Sequence, residues 1–100
     1  MFKVEGYVHI CEFLIDAEHH SEFIEQTLEN ARQSIATEKG CHRYEVLVPS
    51  DGSPRVVLYE SYDSREEHKL HHTTPHFLKW KAGAAQWIKE RRPVTLGQAV

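Results

Sequence analysis

Apolar and polar positions along the chain alternate between two periods, and the changes of period divide it into strands and helices. Residues 3–14, Lys-Val-Glu-Gly-Tyr-Val-His-Ile-Cys-Glu-Phe-Leu, are rich in β-branched and aromatic residues in imperfect alternation. They predict a strand with apolar groups on both faces. A polar stretch from Asp16 to Ser21 offers several helix caps. Beyond it Phe23, Ile24, Leu28, Ala31 and Ile35 fall on one helical stripe, and Gly40 supplies a C-terminal stop. The spacing predicts a helix of about five turns.

Residues 41–48 predict a second strand and 55–62 a third. The Pro-Ser-Asp-Gly-Ser-Pro segment at 49–54 between them is hairpin turn chemistry. A hairpin closing symmetrically about Asp51–Gly52 sets Arg43 opposite Glu60 and Tyr44 opposite Tyr59. Facing opposite charges stabilise such a ladder by under about 1 kcal/mol. Asp63-Ser64 then caps a short helix with Glu66 and Glu67 in its first turn. It ends early, because Pro75 disfavours helical geometry at Thr74. Thr74 and Pro75 are instead the N-cap and first residue of another helix. Its stripe, Phe77, Trp80, Ala84, Trp87 and Ile88, predicts helix to about Arg91, with a short last strand at 93–96.

The order β-α-β-β-α-β, with the second helix broken, is the ferredoxin-like split βαβ pattern: an α+β fold with a four-stranded antiparallel sheet and its helices on one face. No repeat or linker interrupts it, and 100 residues suit one domain spanning 1–100. Both faces of the strands are apolar while the helices cover only one. A homodimer packed sheet on sheet is therefore expected.

Composition narrows the function. A formal net charge of −3 argues against a nucleic-acid partner, and no apolar run approaches a membrane span. The first residues lack the apolar core of a signal peptide, so a cytoplasmic protein is expected. Lys89, Arg91 and Arg92 read as cations complementing a helix C-terminus. Cys11 and Cys41 have no metal-finger or redox spacing and read as small buried hydrophobes. In this topology one strand separates them, roughly 9–10 Å at about 4.8 Å per strand, too far for a disulfide.

The candidate chemistry gathers in His-His-Thr-Thr-Pro-His-Phe at 71–77. His68 and His72, one turn apart, could share a zinc ion, but no third ligand or neighbouring glutamate completes a known pattern. Solvated helix histidines and no metal are expected. His71 lies near the C-terminus of its helix, where the dipole favours imidazolium. His76, in the first turn of the next, is biased toward the neutral ring. At about 0.3–1 kcal/mol neither effect makes a catalyst unaided. Glu60, in an apolar strand, needs a partner if buried, and Arg43 is the expected one. Tyr44, Tyr59, Tyr62 and Trp80 read as core or cleft wall.

Three segments, in this order of elements, resemble the antibiotic biosynthesis monooxygenase family of small dimeric α+β barrels. They are Glu-Lys-Gly-Cys-His-Arg-Tyr-Glu-Val at 38–46, Leu-Tyr-Glu-Ser-Tyr at 58–62, and His71 followed by Thr-Thr-Pro-His at 73–76. The likeness spans nearly the whole chain. It is shared between quinol monooxygenases and isomerases of the phosphorylated autoinducer-2 signal; Tyr62, where the former often carry tryptophan, leans toward the latter. The resemblance implies a sheet–helix cleft in each protomer and oxygenation without metal, flavin or haem. The electron-rich small-molecule substrate reacts with O₂ while side chains position and deprotonate it. The expected catalytic residues are His71, His76 and Glu60, with Arg43, Tyr44, Tyr59, Tyr62 and Trp80 binding substrate. An isomerase would in addition need a phosphate anchor such as Arg43 or Lys79. A third reading is a non-catalytic ligand- or haem-binding dimer using His71.

Overall fold

The computed structural model describes all 100 residues. The chain runs β1 (Val4–Ile15), a 3₁₀ turn (Ala17–His19), α1 (His20–Thr37), β2 (Cys41–Leu47), β3 (Arg55–Tyr62), α2 (Arg65–His71) and α3 (Pro75–Gly83). A second 3₁₀ turn (Ala85–Trp87) leads into β4 (Ile88–Ala99). The strands form one antiparallel sheet in the order β2-β3-β1-β4, which is the expected ferredoxin-like topology. Cys11, Phe13 and Ile15 of β1 and Val56, Leu58 and Tyr62 of β3 point from one face into the core, where they meet Phe23, Ala31, Trp80 and Ala84 from the helical layer.

The helix boundaries follow their caps. The Ser64 side chain accepts from Glu67 N–H, and the Thr74 hydroxyl accepts from Phe77 N–H. That hydroxyl also donates to the carbonyl of His71 at 2.7 Å, tying the end of α2 to the start of α3. In the β2–β3 connection, Asp51 accepts from Ser53 N–H and Gly52 takes a positive φ of 78°. Gly6 has φ 71° at an irregularity where β1 changes register against β4. Only glycine adopts this conformation at little cost. Gly6→Ala is expected to destabilise the protein by about 1–2 kcal/mol in chemical denaturation, with no cavity or lost contact to account for it.

Three expectations need correction. First, the buried face of α1 is Phe23, Thr27, Asn30, Ala31 and Ser34, whereas Leu28 and Ile35 are exposed. Polar residues line the inner face because their partners are there. Trp80 Nε1–H donates to the Thr27 hydroxyl at 2.9 Å, and Asn30 Nδ2–H donates to Tyr44 Oη at 3.1 Å. Ser34 donates to the carbonyl of Asn30.

Second, α3 ends at Gly83 and β4 begins at Ile88, so Lys89, Arg91 and Arg92 belong to a strand and complement no helix dipole. Ile-Lys-Glu-Arg-Arg has little intrinsic strand preference; pairing along β1 overrides it.

Third, the β2–β3 register is one residue off the symmetric hairpin. His42 is an extra residue between the Cys41–Tyr62 and Arg43–Ser61 pairs, and beyond it Tyr44 faces Glu60. A one-residue slip exchanges the faces. Tyr44 therefore joins Glu60 on the core side, and Arg43 goes with Tyr59 to the other.

Candidate active site

A cleft of about 490 Å³ opens between the sheet and the α2–α3 pair. Its floor is the core-facing row of β1 and β3, namely His9, Cys11, Phe13, Leu58 and Glu60, with Tyr44 from β2. Its wall is His68, His71, His72, Phe77 and Trp80, and Arg91 and Lys81 complete it. The Thr74–His71 hydrogen bond at the helix junction turns α2 and α3 so that both present rings to this space.

His71 is the best-held of these groups. It is 1% exposed, between the rings of Tyr44, Tyr62 and Phe77 at centroid distances of 5.8, 5.9 and 5.1 Å. Its Nδ1–H donates to Glu38 Oε2 at 2.9 Å. His76 Nε2–H donates to the same oxygen at 2.5 Å. One carboxylate thus bridges two imidazoles from different helices. Burial pushes the Glu38 carboxyl upward, but the hydrogen bonds from His71 and His76 outweigh it and hold the pKa below the ordinary value. Burial lowers the pKa of His71, against the opposing pull of Glu38, and the ring is neutral at pH 7. With Nδ1–H committed to Glu38, Nε2 carries the lone pair of that neutral ring.

Glu60 is 5% exposed and has no cationic partner. Arg43, its expected partner, lies on the other face, bound to Glu45 at 2.7 Å with its guanidinium 4.6 Å from the Tyr59 ring centre. Glu60 instead accepts from Tyr62 Oη–H at 2.6 Å. Burial raises its pKa to about 7, the hydrogen bond from Tyr62 only partly opposing it. The sign of the linkage follows. An acid whose pKa is raised on folding contributes its stability below the unfolded pKa, near 4.5, and loses it as pH rises through 7. Glu60→Gln is therefore expected to match the parent near pH 4 and to gain relative stability by pH 8, up to about 3 kcal/mol, in urea titrations at the two pH values.

The histidines of α2 depart from the solvated reading. His68 is 8% exposed, stacked 5.1 Å from Tyr7 and tilted against His9 at 4.8 Å, and burial pushes its pKa down to about 3. Only His72 keeps an exposed flank. Both cysteines are free and buried, as expected, and burial drives the Cys41 thiol up to about 12. Neither is a nucleophile at neutral pH.

Of the residues singled out in the sequence, His71, Glu60, Tyr44 and Trp80 line the cleft, and Tyr62 supports Glu60 from beside it. His76 reaches the cleft only through Glu38. It faces a second space of about 710 Å³ between α1 and α3, which Lys79 also lines. Arg43 and Tyr59 are not brought to the cleft. Glu38, His9 and Arg91 were not anticipated. Glu38 is the residue just past α1, next to Lys39-Gly40, and reads as an ordinary helix end. His9 shares the alternation of Cys11 and Phe13, which does mark it as inward-facing. Arg91 was concealed by assigning its segment to a helix.

A four-stranded antiparallel sheet with a helical layer on one face, and a cleft between them walled by a His71 that Glu38 holds from behind, define a small ferredoxin-like α+β protein. The family model for "Antibiotic biosynthesis monooxygenase" matches residues 6–83, and the chain belongs to that family. The structure is similar to "Putative antibiotic biosynthesis monooxygenase from Nitrosomonas europaea", with TM-score 0.90 and 34% identity over 98% of this chain and 94% of that one. A protein of the same description from Bacteroides thetaiotaomicron superposes with TM-score 0.85 at 23% identity, covering 90% and 86% of the two chains. Rv0793 from Mycobacterium tuberculosis gives 0.82 at 22%, covering 93% and 94%. None of the curated proteins matches the chain. No helix is long and apolar enough to cross a membrane.

Proposed function

We propose that the protein is a cofactor-independent monooxygenase that oxidises a quinol or a similar enolisable small molecule within the sheet–helix cleft. The observation that carries this reading is the buried His71, neutral, lining the cleft and fixed in one tautomer by Glu38. A base of that kind can take the proton of a phenolic or enolic hydroxyl as its oxygen approaches Nε2. The resulting anion is electron-rich enough to react with O₂. For a quinol the balance is quinol plus O₂ giving hydroxyquinone plus water. Glu38 stabilises the imidazolium that forms, as a carboxylate behind a histidine does in other proton-transfer sites. Glu60, with a pKa near neutrality, is suited to return a proton to the reduced oxygen. Arg91, without a carboxylate partner, supplies positive potential for the substrate anion. Oxygen-electrode assays over a panel of quinols test the reading. Stoichiometric O₂ uptake supports it, and a panel without uptake beyond autoxidation counts against it.

The isomerase reading needs an anion anchor within the cleft. Arg43 and Lys79 line other surfaces, but Arg91 and Lys81 could serve. It predicts proton exchange of a phosphorylated hydroxy-diketone, followed by NMR, with no O₂ consumed.

The working unit is proposed to be a homodimer. The face of the sheet away from the helices carries Ile10, Val57 and Tyr59, with Leu47, Val94 and Leu96 each 46–47% exposed. A second copy would cover this apolar surface sheet on sheet. Sedimentation velocity is expected to give a dimer for the parent and a monomer for Val94→Lys; a monomeric parent would sink the proposal.

A further inference from the structure

The His–Glu–His set has a second property that proton transfer does not require. Glu38, His71 and His76 each offer one ligand atom, and the three atoms lie within 4.8 Å of one another. Ligand atoms around a tetrahedral zinc are about 3.3 Å apart, given bonds of about 2.0–2.1 Å. The observed separations from Glu38 Oε2, 2.9 Å to His71 Nδ1 and 2.5 Å to His76 Nε2, are shorter, and side-chain rotations that open the cluster by several tenths of an ångström would admit an ion.

The setting favours a cation. Glu38 follows the last residue of α1 and His71 ends α2, so two negative helix ends meet the cluster against the single positive end of α3 at His76. The space between α1 and α3 reaches Glu38 and His76, and it carries Glu25 and Glu29 against one lysine, Lys79. It shares only Trp80 with the cleft, so an ion can reach the cluster without crossing the substrate site. Asn30, 2% exposed, lines the same space, and its Oδ1 has no hydrogen-bond partner. That oxygen is a ready acceptor for a metal-bound water.

We propose that Glu38, His71 and His76 form a binding site for a divalent transition-metal ion of the Zn²⁺ type, entered from the space between α1 and α3. Two imidazoles and one carboxylate are a ligand set that zinc accepts, with water in the remaining positions. Coordination needs the lone pair of His71 Nδ1, so the ring proton moves to Nε2. Nε2 then donates where it formerly accepted. Metal occupancy therefore switches the ring out of its base form.

Calorimetric titration of chelator-stripped protein with Zn²⁺ tests the site, with Co²⁺ as a spectroscopic probe. The parent is expected to bind one equivalent tightly and to give the visible d–d bands of protein-bound Co²⁺. Both signals are expected to weaken by about 10–100-fold or more in His76→Ala and in Glu38→Gln. His42→Ala, which removes an exposed His–Asp pair at Asp63, is expected to bind as the parent does. Two partly accessible ligands are varied separately so that one misfolded variant leaves the other informative. No binding by the parent, unchanged affinity in a folded His76→Ala or Glu38→Gln, or loss in His42→Ala alone would overturn the proposal. The readout is binding, so it stands or falls independently of turnover.

Discussion

His71→Ala is expected to lower kcat for O₂-dependent turnover by about 10²–10⁴-fold, the range for loss of a positioned general base. The fall should be in kcat more than in KM, because the floor and wall from Tyr44, Phe77 and Trp80 remain to hold a ring. Glu38→Gln provides the discriminating companion. It keeps an acceptor for Nδ1–H but removes the charge that stabilises imidazolium, so it should retain more activity than His71→Ala and less than the parent. The pH profile carries a separate signature. Burial lowers the His71 pKa, so the acid limb of kcat/KM should fall below pH 6.5, the ordinary imidazole value. In Glu38→Gln the limb should move further toward acid, because the upward pull of the carboxylate is gone. Stopped-flow or oxygen-electrode rates from pH 5 to 9 read both. A His71→Ala variant that turns over within a few-fold of the parent would remove His71 from the chemistry.

Phe23→Ala carries the largest expected cost in stability, about 3–5 kcal/mol. The ring is 0% exposed and packs 5.9 Å from Phe13 and 6.0 Å from Trp80, joining α1, the sheet and α3 at one point. Its loss leaves a cavity that three separate elements would have to collapse to fill. Against a total stability of about 5–15 kcal/mol for an ordinary domain, this removes a large share. Thermal denaturation should show Tm lowered by at least about 10 °C. Phe23 does not line the cleft, so activity per folded molecule should survive at low temperature. Stability within 1 kcal/mol of the parent would mean that the aromatic cluster is not the mechanical centre of the core.

The effects on Phe23 and His71 also differ in how far the sequence foretold them. Phe23 was legible from helical periodicity, but its neighbours on the buried face were not. Leu28 and Ile35 look like core by hydrophobicity, while Thr27 and Ser34 look like surface. The structure inverts them because Trp80, from a helix some 50 residues away in sequence, brings an N–H that needs an acceptor. Periodicity sees one element at a time, and such a demand arises only between elements. The same limit hid Glu38, whose role exists only because α2 and α3 deliver two imidazoles to one side-chain oxygen. Arg91 was lost to a boundary error, and Arg43 to the one-residue offset of the β2–β3 hairpin, already present at Leu47–Val57 beside the turn, which reversed the face it occupies.

By itself the sequence determined the order of elements, the sheet topology, the helix start at Thr74–Pro75 and the family. These rest on local chemistry: caps, proline restriction, turn residues and alternation act over a few residues and can be read in place. The tertiary structure decided which groups share the cleft. Strand parity, the β2–β3 register and the meeting of three helix ends set those neighbours, and each depends on contacts between segments that pair only in the fold. His71 was nameable from its motif, but only the fold supplied the carboxylate that fixes its proton.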